Sequence, residues 1–156
     1  MTTVTQTQAA RSNVEVIVQD ARTGDELRRI EAHNITTRGL HERLITAAGP
    51  DRPEETEAVR LAIGDGTTEP ETTDDELENR VDDVPVTGSA VDGNELTTSA
   101  FVDSTVANGE AITEIGLLTA DDVLLNRALV ESVEKSSSII LTVNVTLSLI
   151  DQTEVQ

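Results

Sequence analysis

Ile139-Ile140-Leu141-Thr142-Val143-Asn144-Val145-Thr146-Leu147-Ser148-Leu149 sets the architecture of this chain. Every odd position is apolar, and the even positions after Ile140 are small hydroxyl or amide side chains. Alternation sustained over these positions would scatter around a helix but falls on one face of a strand. At ~3.3 Å per residue such a strand runs about 35 Å, roughly twice the usual length. It therefore needs long partners on both sides, or an edge given to another molecule. A central strand is the expectation. On the other reading Ile140, Thr142 and Asn144 lie along an exposed edge used for assembly.

The preceding sequence supplies partners. Val14, Val16 and Val18 alternate with Glu15, Ile17 and Gln19, and residues 27–32 return after a turn at Thr23-Gly24, forming a hairpin. Residues 59–63 read as a strand ending in Gly64-Asp65-Gly66-Thr67-Thr68, whose glycines permit a tight turn that Asp65 can close. Val84 and Val86 lead to a hairpin signal at Asp92-Gly93. Leu96, Thr98, Ala100 and Val102 then line one face of the return strand, and Phe101, the sole aromatic, lies on the other. Residues 112–118 and 123–133 form a further pair turned by Ala120-Asp121-Asp122.

The period changes in two places. From 37 to 49, Leu40, Leu44, Ile45 and Ala48 fall at helical spacing, with Thr37 as the cap and Gly49-Pro50 as the stop. Thr73 and Glu76 have the spacing of a capping box, which predicts a short acidic helix over 74–80 with Leu77 inward. About eight strands and one or two short helices fit an antiparallel β-sandwich best. The expected organisation is a flexible N-terminal arm (1–12), a single β-sandwich domain (13–151) and a C-terminal tail (152–156).

Charge narrows the function. Thirty Asp and Glu against 11 Lys and Arg give a net charge of −19, and Lys135 is the only lysine. Nucleic acid and anionic membranes require clustered cations, so neither is an expected partner. High charge with few aromatics also marks disordered chains, but the regular β-pattern argues against disorder. Molar salt shortens the Debye length to about 3 Å and makes the self-repulsion tolerable. The composition resembles that of proteins from extreme halophiles and their viruses. No 18-residue apolar run and no signal-peptide pattern are seen.

Catalysis finds little to work with. There is no cysteine, no Gly-x-Ser-x-Gly and no serine with a plausible histidine partner. Carboxylate pairs are available, but sugar sites normally carry aromatics, and Trp and Tyr are absent. His33 and His41 straddle a strand-to-helix break, which is not a metal-ligand spacing. Carboxylates alone can hold calcium, so Asp65, Asp74 and Asp75 are the cation candidates, against the simpler reading of a turn and a solvated acidic face. No enzyme and no cofactor are expected.

The order of segments carries a resemblance. Residues 61–68 (Leu-Ala-Ile-Gly-Asp-Gly-Thr-Thr) with Pro70 and 74–77 beyond come first. Residues 111–118 (Ala-Ile-Thr-Glu-Ile-Gly-Leu-Leu), then 125–128, then Lys135 before the long strand, follow. Together they resemble small structural proteins of tailed viruses, encoded among tail-fibre, collar and other appendage genes. The opening hairpin and His33-Asn34-Ile35-Thr36-Thr37 resemble the starts of such proteins. The resemblance covers about residues 14–149, and its signal lies in order and spacing. It implies a β-rich virion protein working by self-association and docking to other capsid or tail proteins, with no catalytic residues to carry over. Fibre proteins continue into a shaft and receptor-binding tip, whereas this chain stops at Gln156, which favours a decoration, turret, collar or baseplate component. The arm (Thr2, Val4, Thr5, Arg11) joins Ile140, Thr142 and Asn144 as the assembly candidates. A halophilic cell-surface module and a calcium-dependent binding module are the alternatives.

Overall fold

A computed structural model describes residues 12–50 and 56–148. Its strands are β1 (Asn13–Asp20), β2 (Glu26–Thr36), β3 (Arg60–Gly64), β4 (Arg80–Asp92), β5 (Glu95–Val102), β6 (Ala111–Leu118), β7 (Asn126–Glu134) and β8 (Ile139–Ser148). Helix α1 (Arg38–Ala48) lies between β2 and β3. The long terminal strand is central, pairing antiparallel with β1 over residues 139–146 on one side and with β5 over 141–148 on the other.

The expected sandwich is corrected to a closed barrel, in the order β1-β2-β7-β6-β3-β4-β5-β8 and back to β1. Two long strands close it. Residues 13–19 of β1 pair with β2 up to His33, after which Asn34 to Thr36 pair with β7 instead. Likewise, β4 pairs with β3 up to Pro85 and with β5 from Val86 onward, with a register shift between Val86 and Gly88. Proline removes a ladder donor and the bulge bends the strand, so β4 turns the corner between what would otherwise be two sheets. Inward and outward residues alternate identically in a sandwich and a barrel, so the pattern did not distinguish them.

The inward row of β8 is almost fully enclosed: Leu141, Val143 and Val145 are each 1% exposed. Val14, Val16 and Val18 of the adjacent β1 lie beside it on the same inner face, directly opposite Val145, Val143 and Leu141 in the ladder, and Leu40, Ala58 and Leu125 belong to the same apolar cluster. Helix α1 starts at the expected place, but the Thr37 side chain does not cap it. Its hydroxyl donates to the Leu124 carbonyl, tying the helix to the β6–β7 connection. Gly49 ends the helix, its N–H bonded to the Thr46 carbonyl at 3.0 Å. The helical face is narrower than its spacing suggested, because Leu40 is buried and Ile45 is 76% exposed.

The second expected helix, over 74–80, does not form. Residues 65–79 instead make a strap over the outer wall of β3, β6 and β7, where Leu77 packs with Ala62, Leu118 and Leu124 in a second apolar cluster. Leu77 is inward as expected, but against the outside of the barrel. The capping-box reading fails because Asp74 accepts from the Glu71 N–H at 2.9 Å, and because Glu114 takes the Glu78 and Asn79 amides.

Candidate functional site

The strap is fastened by a buried charge cluster on the outer wall. Ile112 and Ile115, three apart on β6, both belong to the main core, and the β6–β7 register shifts between Ile112 and Glu114. This irregularity reverses which face the following residues use and sends Glu114 outward under the strap. Glu114 is 0% exposed and Arg127, on the neighbouring β7, is 2% exposed. Arg127 Nε donates to Glu114 Oε1 at 2.9 Å, and Nη1 to Asp74 Oδ2 at 3.1 Å.

A buried carboxylate needs more than one cation to offset its lost hydration. Glu114 obtains the rest from the backbone: Oε1 accepts the Glu78 N–H at 2.9 Å, and Oε2 accepts those of Asn79 at 2.7 Å and Gly66 at 2.9 Å. Glu78 repeats the device one step outward, accepting the Thr67 and Thr68 N–H groups and the Thr68 hydroxyl. These bonds, those from Thr68 first, hold the Glu78 carboxyl below its ordinary pKa, with Arg127 adding to the effect. Thr113 Oγ1 donates to the Gly66 carbonyl at 2.7 Å. Gly66 is required by this proximity, since a Cβ there would lie 2.5 Å from Glu114 Oε2 and from Glu78 Cβ. Arg127 Nη2 is 3.8 Å from Glu78 and has no hydrogen-bond partner.

The cation candidates are separated by their partners. Asp65 accepts from the Asn79 amide, Asp74 holds Arg127, and Asp75 pairs with Arg38 at 3.2 Å. Among the described residues, no three acidic or histidine side chains are grouped to hold a metal ion. His33 is exposed and His41 is engaged with the Thr36 hydroxyl.

The assembly candidates divide. Thr2, Val4, Thr5 and Arg11 lie outside the described residues. Ile140, Thr142 and Asn144 point outward from β8, but both its edges are paired, so the edge use is corrected. Among the described residues no strap crosses their wall, which is laced by side-chain bonds. Thr142 donates to Gln19 at 2.8 Å, while Asn144 accepts from Ser99 at 2.7 Å and donates to Glu15 at 3.1 Å.

A second feature lies at the end of the barrel that carries α1. Leu40 and Leu44 of the helix face Val91 and Leu96 of the β4–β5 hairpin across a cavity of about 440 Å³, floored by Leu125 and Leu147. Glu57 and Glu95 are the charged residues of its lining. The Gly93 φ of +62° forms the hairpin turn beside it, as the Asp92-Gly93 signal predicts.

Neither the ion pair nor the cavity was singled out from sequence. Glu114 is in plain view as the lone charge in the run 111–118, as is Arg127 as the lone charge in 123–130. Charges in such runs must find one another, because burying either alone is prohibitive. Comparison of the chain with protein-family models, with curated proteins and with solved structures finds no match.

Proposed function

We propose that this chain is a non-enzymatic structural component of the virion of a tailed virus of an extreme halophile. It acts as a self-associating capsid decoration or turret, collar, or tail and baseplate subunit. The observation that supports this reading is that two segments carrying the resemblance to virion appendage proteins, 61–68 and 111–118, are one structural unit. Glu114 of the second segment accepts the Gly66 N–H of the first, and Thr113 donates to the Gly66 carbonyl. Their order and spacing thus have a common physical cause, a strap held against a barrel wall.

The physics suits a building block. Closure leaves no open edge on β1, β5 or β8, which prevents runaway strand addition and reserves association for defined surfaces. The charge of −19 keeps particles apart and soluble, and molar salt screens it enough for specific contacts to form. Contacts with sister copies and other virion proteins therefore replace a catalytic centre.

Light scattering coupled to size exclusion in about 2–3 M KCl, where screening is nearly complete, tests this. A discrete trimer, pentamer or hexamer of the 16.7 kDa chain is expected. A monomer across the accessible concentration range would argue against a self-associating subunit.

A further inference from the structure

The cavity beside α1 is lined mainly by apolar side chains, and exposed apolar residues lie on its lining and on the same helix. Val91, on its lining, is 75% exposed, and Ile45 of the same helix is 76% exposed. Solvent-facing apolar side chains gathered beside an apolar opening mark a surface that something covers.

The chain contains a segment of matching chemistry. Residues 1–14 include no acidic residue, in a protein with thirty, and Arg11 is their one charge. Met1, Val4, Ala9 and Ala10 provide small apolar side chains that fit a channel between leucines, and Arg11 complements Glu57 and Glu95 of the lining. A cation approaching this acidic surface is favoured, whereas almost any other stretch of the chain would be repelled. The segment also starts from the right place. Ser12 exchanges hydrogen bonds with Ser148, its Oγ accepting the Ser148 N–H at 3.0 Å, and its carbonyl accepts the Asn34 N–H. Leu147, the neighbour of Ser148, floors the cavity. Eleven residues precede Ser12, and they span up to about 36 Å when extended, enough to cross from one barrel to the next.

We propose that the apolar cavity beside α1 receives the N-terminal residues 1–11 of a second copy of this chain, so that subunits are joined by exchanged arms. This rests on the self-association proposed above and supplies its contact. The arms lie apolar side down between Leu40, Leu44, Val91 and Leu96, with Arg11 near the acidic rim. Salt acts twice on this contact: it weakens the attraction of Arg11, and it screens the much larger repulsion between the barrels.

The absence of cysteine makes a direct test possible. Val4→Cys and Val91→Cys are introduced together and oxidised in about 3 M KCl, the fully screened regime, with each single variant as control. A ladder of disulfide-linked multimers on a non-reducing gel, present only in the double variant, is expected. A monomer with an internal disulfide would place each arm in its own barrel, and no cross-link at all would remove the arm from the cavity; either result overturns the proposal. Masses of the chain lacking residues 1–11 and of Val91→Asp, whose exposed site tolerates the change without unfolding, are expected to fall to that of a monomer. Retention of the wild-type oligomer by both would overturn arm exchange while leaving self-association standing. A monomeric wild type would overturn both.

Discussion

Two walls of the same barrel are built from the same alternation and finish differently. On β3, β6 and β7 the outward positions include Ala62, Gly64 and Gly116, whose small size lets the strap lie close, and a buried ion pair binds it there. On β1, β5 and β8 the outward positions include Gln19, Ser99, Thr142 and Asn144, whose polar groups bond to one another beside Ile17, Phe101 and Ile140. A barrel wall thus becomes a second interior or a face according to its outward residues alone. The first wall is covered by the strap; the second is not covered by any described residue.

Breaking the cluster under the strap should have the greatest effect. Glu114→Gln removes the charge that Arg127 and three amides address, and an orphaned buried ion typically costs about 3–5 kcal/mol. Arg127→Met should do similar damage. The double variant should lose clearly less than the sum, because the two share one interaction. Chemical denaturation in molar KCl measures all three. Additive losses would mean that the pair is not a unit.

Glycines sharpen the contrast. Gly66→Ala forces a methyl against Glu114 and Glu78 and should cost about 1–3 kcal/mol, as overpacked sites do. Gly88→Ala, at the β4 corner where a Cβ meets nothing, should change stability by less than about 0.5 kcal/mol. Equal effects would deny that the strap lies close.

Acid should weaken the same wall. Glu78 has a lowered pKa in the fold, chiefly from the Thr68 bonds, so it binds a proton less readily folded than unfolded. Its contribution is therefore complete above the ordinary glutamate value of about 4.3 and is lost as pH falls through the lower folded value. The stability difference between wild type and Glu78→Gln should shrink over that window. A difference that stays constant from neutral pH to about 3 would exclude the ionised carboxylate as the cause. On the β1, β5 and β8 wall, Thr142→Ala should shift stability by no more than about 0.5 kcal/mol, the usual scale for surface positions. A larger loss by thermal denaturation would show that this wall, too, is structurally committed.

How much could be read from the sequence follows from the range of the forces involved. The inward rows Val14, Val16, Val18 and Leu141, Val143, Val145 were legible because alternation is local, and so was the turn at Gly93. Closure was not legible, since it depends on β2 and β4 changing partners midway. The helix expected over 74–80 was a local signal overridden from a distance: Glu114, 36 residues further on, takes the Glu78 amide. The same nonlocality hid the site. Glu114 and Arg127 were visible as misplaced charges, but their common address under residues 65–79 is a property of the strap.

Amide hydrogen exchange along β8, read residue by residue in the full-length chain in about 3 M KCl, tests whether both edges of β8 are paired and with it the claim that assembly uses surfaces other than the edges of this strand. Successive amides of β8 point alternately to β1 and to β5. Both sets should be equally protected from Leu141 to Thr146, where both ladders run, with exchange governed by global unfolding. Rapid exchange of every second amide would reveal an open edge on β8, contradicting the closed barrel and returning Ile140, Thr142 and Asn144 to the role of an assembly edge.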